Sequence, residues 1–378
     1  MDNKIKIGLS FTFDNKTNAG VVNYIFSFVK ALNTLEDHLK PKLIIFYGRT
    51  APIELIKEEN YPYISFIPDQ DTPIRLPLLI RVLNKISIKI FAKAIIPLPL
   101  YKDADYIFPF PNYLNIKHKV YWLVDFNPYY FPDHLDEKQR QDYFSYVENI
   151  VYSHEKVVLS SYEILNDLKK FHPQYTCKVE LLRFAALLPS VKPIDFEFLK
   201  NKFGINKRYF ICPNQFWVHK NHLVILKATQ ILKQKGFSFQ IIFTGNKNIE
   251  KSMTYFDTLS NYVDDHHLHS YINFLGVIDR NEQLNLMKYA EAFIQPSLFE
   301  GWSTLVEESK ALNKFIVLSD IPVHREQIDL NCSFFDPNDE YELANILESI
   351  LNHELTIVPY DYQNDINKYA NRILEIFN

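Results

Sequence analysis

The chain is poor in glycine, cysteine and long apolar runs. Each shortage excludes something. Three cysteines in 378 residues, Cys177, Cys212 and Cys332, are widely spaced and odd in number, which argues against a disulfide framework and fits a reducing compartment. No run approaches about 18 uninterrupted apolar residues, and the start, MDNKIKIGLSFTF, has no charged-then-apolar leader; neither a membrane span nor a signal peptide is expected, and the expected location is the cytoplasm. A net charge of −4 gives no global reason to bind nucleic acid. Hydrophobic residues at 47% and aromatics at 15% exclude a disordered chain, and the length exceeds one usual domain, so two domains of comparable size are expected. With only eight glycines, it matters that Gly8, Gly20, Gly245, Gly276 and Gly301 each follow a strand-like run, the place where α/β folds bind ligands.

What is present is alternation. A short strand, KIKIGL, leads through a loop to Gly20 and an amphipathic helix, VVNYIFSFVKALNTL, a first βα unit; further strands are expected at 42 to 47, 62 to 67, 105 to 109, 118 to 124 and 156 to 159. Around AALLPSVKPID the periodicity fades, and a second alternation follows in RYFICP, QIIFT, YINFL, EAFIQ and FIVLS. The expected division is 1–185 for a first Rossmann-like domain, 186–206 for a linker, 207–357 for a second Rossmann-like domain and 358–378 for a terminal helix. Between the early strands, Arg81, Lys85, Lys89 and Lys93 recur every four residues beside an apolar face. Such a stripe over residues 75–95 is either a solvated helix face or a surface for anionic lipid, which would give peripheral contact with the inner face of a membrane.

Most of the polar chemistry lies in PSLFEGWSTLVEESKALNKFIVLSDIPVHRE, from Pro296 to Glu326. A strand ends at Pro296, Glu300-Gly301 makes a loop, and Ser303-Thr304 offers cap hydroxyls to a helix. A glycine lets backbone approach a ligand, and the free N–H groups of a first helical turn with the positive dipole end suit an anion such as a diphosphate. Glu300 and Glu308 frame this turn and can face one ligand, while Thr304 and Glu307 have capping-box spacing, so Glu307 is assigned to the cap.

This stretch resembles the donor-site signature of retaining nucleotide-sugar glycosyltransferases of family 4: Ser297, Leu298, Phe299, Glu300, Gly301, Trp302, Ser303, then Glu308-Ser309, and later Ser319-Asp320-Ile321-Pro322. The resemblance extends over nearly the whole chain but is specific mainly from Asn214 to Pro337. It implies an α/β chain of GT-B fold, two Rossmann-like domains facing each other across a cleft with a C-terminal helix crossing back. It also implies that the first domain binds acceptor and the second binds nucleotide sugar. Glu300 would then hold hydroxyls of the transferred sugar and Glu308 those of the ribose, roles that suit carboxylates as acceptors from a diol. Gly301, Trp302, Ser303 and Thr304 would complete the donor turn. In PNQFWVHKNHLVILKA the family has Gly-Arg before Lys-Asn; here Lys220-Asn221 matches, whereas Asn214-Gln215 replace Gly-Arg. Lys220 would neutralise the leaving phosphate as a point charge, with Gln215 beside it where bidentate arginine geometry is lost. His219 and His222 flank Lys220 and could assist. Gly276 and Val277 stand where the family's backbone meets the nucleobase, and Gly20 faces acceptor and donor phosphates. Asp125 matches the acid of the family's His-Asp pair, with Val124 in place of histidine; Asp125 would orient the acceptor or cap Asn127-Pro128. Ser160-Ser161 matches a strand-to-serine junction or is simple capping.

No metal and no other cofactor is expected. Asp264, Asp265, His266, His267 and His269 are adjacent rather than convergent, and no Asp-x-Asp is read as holding a cation beneath a diphosphate. The implied activity is transfer of a sugar from a nucleoside-diphosphate sugar to a glycan or lipid-linked glycan in polysaccharide synthesis. The alternative is a non-catalytic GT-B partner subunit that binds nucleotide sugar or glycan.

Overall fold

The computed structural model describes residues 4–11, 19–68, 82–83, 85–87, 90, 103–109, 119–247 and 253–378. The chain divides into two compact units, Met1–Leu187 with Gln363–Asn378, and Leu188–Tyr362. Each is built on parallel strands with helices between them, as expected for Rossmann-like domains.

In the first unit, β1 (Lys6–Phe11), β2 (Lys42–Tyr47), β3 (Ile64–Pro68) and β4 (Tyr106–Phe108) are ordered β3-β2-β1-β4, and β5 (Val120–Leu123), β6 (Lys156–Leu159) and β7 (Lys178–Leu181) follow as β5-β6-β7. A parallel bridge from Ile107 to Lys119 joins the two sets. The central strands are apolar along their length because helices cover both faces: β1 is buried from Ile7 to Phe11. One face packs Phe46, Ile107, Leu123, Val157 and Leu159 against the helices Glu137–Val151 and Tyr162–Phe171. On the other, the helix Ala19–Asn33 stacks Tyr24 on Trp122 with centroids 4.2 Å apart. The terminal helix Tyr362–Phe377 packs into this unit, and Phe377 meets the rings of Phe28, Tyr106 and Phe108 at 5.6–6.0 Å.

The second unit carries β8 (Tyr209–Cys212), β9 (Gln240–Thr244), β10 (Ile272–Gly276), β11 (Phe293–Gln295), β12 (Ile316–Ser319) and β13 (Cys332–Phe335), ordered β10-β9-β8-β11-β12-β13 and all parallel. Successive side chains leave a strand on opposite faces. Phe210, Cys212 and Phe243 accordingly join one core with the helices His222–Gln234 and Glu340–Asn352, while Tyr209, Ile211 and Ile242 join another with Phe196–Phe203, Arg280–Tyr289 and Thr304–Ala311.

The structure departs from the sequence expectations in two places, and a third expectation falls mostly outside the described residues. The four-residue strands β7 and β13, each the last of its sheet, were not foreseen; KVEL and CSFF are too short for a pattern to register. Residues assigned to a linker are part of the second unit, because Leu188, Val191, Ile194, Phe196, Leu199 and Ile205 pack into its core. Most of the cationic stripe, Arg81, Lys89 and Lys93 included, lies outside the described residues; Lys85 is described and exposed. No helix among the described residues is long and apolar enough to cross a membrane.

Candidate functional site

In the second unit the strand order reverses between β8 and β11, so the loops leaving these neighbours turn to opposite faces and open a crevice at their carboxyl ends, where such sheets bind ligands. Both loops are rich in polar side chains. After β8 come Asn214, Gln215 and the short 3-10 turn Val218–Lys220; after β11 come Ser297, Glu300 and Gly301.

The two loops are stitched together. Asn214 Nδ2 donates to Gln295 Oε1 at 2.7 Å, and Gln295 Nε2 donates to Ser297 Oγ at 3.2 Å and Glu300 Oε1 at 2.6 Å. Leu298 N donates to the His219 carbonyl at 2.8 Å. Asn221, at φ 53°, sends its amide to the carbonyls of Pro296 and Pro337. Asparagine tolerates that left-handed backbone, and the turn aims the preceding Lys220 across the crevice. Lys220 Nζ meets Glu300 Oε1 at 2.6 Å, with both side chains largely buried. Burial pushes the Glu300 carboxyl up, but the Lys220 charge and hydrogen bond, with a hydrogen bond from Ser297, outweigh it and hold it below the usual carboxylate range.

Two histidines near this pair are neutral. His324 is fully buried, with Nδ1 2.8 Å from the Ser319 carbonyl oxygen; burial first and the Lys220 charge lower its pKa to about 4 against the opposing pull of Glu300. His222 is not a polar assistant of Lys220 but a core ring, fully buried with ring centroids 4.9 Å from Phe216 and 5.7 Å from Phe243. Burial, with the charges of Lys220 and His219, lowers its pKa to about 3.

Gln215 Oε1 accepts from Asn246 N at 2.9 Å and so fastens the turn after β9. Gly245 is required there: its φ is +152°, and a Cβ would stand 2.3 Å from the Asn214 carbonyl oxygen. Gly276 closes β10 at φ +75° and accepts from Gly245 N at 3.0 Å, leaving Val277 72% exposed beyond it. Lys247 lies beside Gly276 and donates to the Phe274 carbonyl at 2.5 Å; burial pushes its ammonium pKa down.

The helix Thr304–Ala311 opens with Gly301 buried and Trp302 half-buried ahead of it, but it is not capped as expected. Ser303 is the cap residue and its hydroxyl makes no cap bond; Thr304 is already the first helical residue. Gln327, from another element, holds the cap residue's backbone instead: its Oε1 accepts from Ser303 N at 2.9 Å and its Nε2 donates to Ser303 O at 2.9 Å. Glu307 therefore forms no capping box. It is buried, accepting from Lys310 and Gln327 at 3.1 Å each and from the Tyr362 hydroxyl at 2.8 Å. Burial is the larger influence and raises its pKa. Glu308, 5% exposed, is paired with Arg280.

The remaining positions lie in the first unit. Gly20 is exposed in the first turn of the helix Ala19–Asn33. Asp125 Oδ1 accepts from Asn127 N at 2.8 Å, starting the turn Asn127–Tyr130, and its carbonyl accepts from the Tyr143 hydroxyl at 2.6 Å. Ser161 caps the following helix through Ile164 N at 3.1 Å, and Ser160 accepts from Trp122 Nε1 at 3.3 Å. Among the described residues no three His, Cys, Asp or Glu side chains gather as a metal-binding group. An Asp-x-Asp spacing does occur at Asp103–Asp105, where Asp105 Oδ2 accepts from Lys6 N at 2.8 Å.

Lys220 and Glu300 are thus brought together, and Gln215, Gly276 and the Glu308 helix stand at the ends of the same sheet. Sequence reasoning missed Arg280, Gln295, Asn214 as a tie, and Gln327. Only Asn214 and Gln295 carried a local signal, a polar residue just after one apolar strand and at the end of another.

Two parallel Rossmann-like units with this crevice make the chain a GT-B protein. Residues 195–373 match the family described as glycosyl transferases group 1. Over 236 residues the chain is 25% identical to the O-antigen chain mannosyltransferase RfbU of Salmonella typhimurium; the match spans 62% of this chain and 61% of that relative, just under two thirds of its length. Among solved structures, Anabaena HepE in complex with UDP and glucose superposes with a TM-score of 0.65 at 14% identity, over 98% of this chain and 94% of that one. Sucrose-phosphate synthase from Thermosynechococcus elongatus superposes with a TM-score of 0.64 at 15% identity, over 99% and 95%. These two establish the fold.

Proposed function

We propose that the chain is a retaining glycosyltransferase. It moves a sugar from a nucleoside-diphosphate sugar to a glycan or lipid-linked glycan acceptor in the synthesis of a polysaccharide or cell-surface glycan. The observation that carries this is the Lys220–Glu300 pair, 2.6 Å apart at the point where the strand order reverses, beside the start of the helix Thr304–Ala311. The relative named an O-antigen chain mannosyltransferase supports a glycan acceptor, and the Anabaena structure holding UDP and glucose supports a nucleotide-sugar donor.

In this reaction the bond from the anomeric carbon to the β-phosphate oxygen breaks, and charge develops on that phosphate. Lys220 and the free N–H groups of the helix start stabilise it, fixed electrostatics that need no reorganisation during the step. The acceptor oxygen bonds to the same face of the sugar and gives its proton to the departing phosphate, so configuration is retained without a protein nucleophile. Glu300 holds sugar hydroxyls and, through its ion pair, keeps Lys220 in place; Glu308 holds the ribose; Gly276 and Val277 border the base. Asp125 and Gly20 serve the acceptor side from the first unit. No divalent cation enters the scheme, and the 75–95 segment brings the protein to the membrane surface where a lipid-linked acceptor resides.

Incubation with nucleoside-diphosphate sugars, those of mannose and glucose first, should show slow hydrolysis of one donor, undiminished in EDTA, and a product that keeps the donor's anomeric configuration. Loss of activity on chelation with rescue by manganese would overturn the metal-free scheme. The second reading, a binding subunit without turnover, is favoured by Gln215, whose side chain is committed to Asn246 N where the family has arginine. Donor binding without hydrolysis or transfer would select it.

A further inference from the structure

We propose that Arg280 is a positioning residue that sets the Glu308 carboxylate for the ribose diol and so makes binding depend on an intact ribose; this rests on the donor-site assignment above. Two adjacent buried acids show why. Both oxygens of Glu307 are consumed inside the protein, Oε1 by Lys310 and Gln327 and Oε2 by Tyr362. Glu308 has one oxygen engaged: Arg280 Nη2 donates to Oε1, and Oε2 receives no hydrogen bond among the described residues. A carboxylate this far from water requires a paired cation, and an acceptor left open beside that pair is what a vicinal diol can use.

Arg280 is itself held. Its Nη1 donates to Gln283 Oε1 at 2.7 Å, and Gln283 Nε2 donates to Thr244 Oγ1 at 2.8 Å, the buried last residue of β9. A continuous polar chain therefore runs from a central strand end to the Glu308 carboxylate, and the planar guanidinium transmits its direction where an ammonium would be a swivelling point charge. The pair is not sealed in a core, since the Arg280 side chain is one-third exposed. It also follows Gly276 by four residues, so the carboxylate it directs stands between the strand end that borders the base and the helix start that faces the diphosphate.

The test is calorimetric binding of uridine, guanosine, adenosine and cytidine 5′-diphosphates and of their 2′,3′-dideoxy counterparts to the full chain, to Arg280→Gln and to Arg280→Lys, with thermal melting as the check of folding. The parent should prefer the intact ribose form of its nucleotide by about tenfold or more. Arg280→Gln should weaken that form about tenfold and leave the dideoxy form unchanged, so that discrimination collapses, and in a Glu308→Gln background it should add nothing. Arg280→Lys should fold whether or not Arg280→Gln does, because it keeps the charge beside the buried acid, and should discriminate less than the parent. Unchanged discrimination in either folded variant, or equal weakening of both ligands, overturns the inference while leaving the donor site standing. A parent that binds none of the diphosphates overturns both.

Discussion

The two sheets have nearly the same wiring, and the polar side chains described beyond their strand ends are put to very different uses. Each places its first strand beside its fourth, β1 beside β4 and β8 beside β11, so each has a reversal of strand order at which a ligand crevice forms. At the strand ends of the second unit the loops after β8 and β11 carry an ion pair and an amide relay, and the helices beside them add the Arg280–Glu308 pair and a buried neutral histidine. In the first unit the described polar positions after the later strands β5 and β6 are spent on structure: Asp125 starts a turn, Ser161 caps a helix, and Ser160 accepts from Trp122. Topology supplies the crevice, and the side chains placed there decide whether it can neutralise a diphosphate or merely offer a surface.

The largest test of that contrast is at the ion pair. Lys220→Ala and Glu300→Gln should each lower turnover about 100- to 1000-fold, the range for removing one preorganised electrostatic partner. Asp125→Asn in the first unit should cost about tenfold or less, because its turn bond survives as an amide. Steady-state kinetics on the active donor would check this, and equal losses from all three would erase the contrast between the two units.

A smaller effect concerns acid stability. The folded His222 ring has its pKa near 3, below its unfolded value of 6.5. The unfolded chain therefore takes up a proton that the folded chain does not, so its contribution is intact above about pH 6.5 and is lost as pH falls towards 3. Between pH 7 and pH 5 the parent should lose about 2 kcal/mol more than His222→Phe, read by urea unfolding at both pH values. His324 acts with the same sign, from 6.5 down to about 4, and cancels between the two proteins.

The smallest effect on the donor site belongs to the cationic segment. Replacing Arg81, Lys85, Lys89 and Lys93 by Gln should weaken binding to anionic vesicles, by about 1 kcal/mol for each cation at the surface and less in high salt. Donor hydrolysis should not change, and stability should shift by no more than about 0.5 kcal/mol per substitution. Undiminished vesicle binding would make the stripe an ordinary solvated face.

By itself the sequence determined the fold class and the short-range part of the site. The alternation of apolar strands with amphipathic helices is written locally, since each period depends on neighbours a few residues apart. The turn at Glu300-Gly301 and the Lys220-Asn221 pair are equally contiguous, which is why they are legible without coordinates. Tertiary structure alone decided who partners whom. Glu300 meets Lys220 across 80 residues, and Glu308 meets Arg280 across 28. Gln327 bonds both backbone groups of Ser303, while Thr304 and Glu307 have capping-box spacing and form no box. Burial explains that last outcome: packing the helix Thr304–Ala311 against the sheet carries Glu307 out of water towards Lys310, Gln327 and Tyr362, and a buried carboxylate goes where donors converge rather than where its sequence spacing would send it.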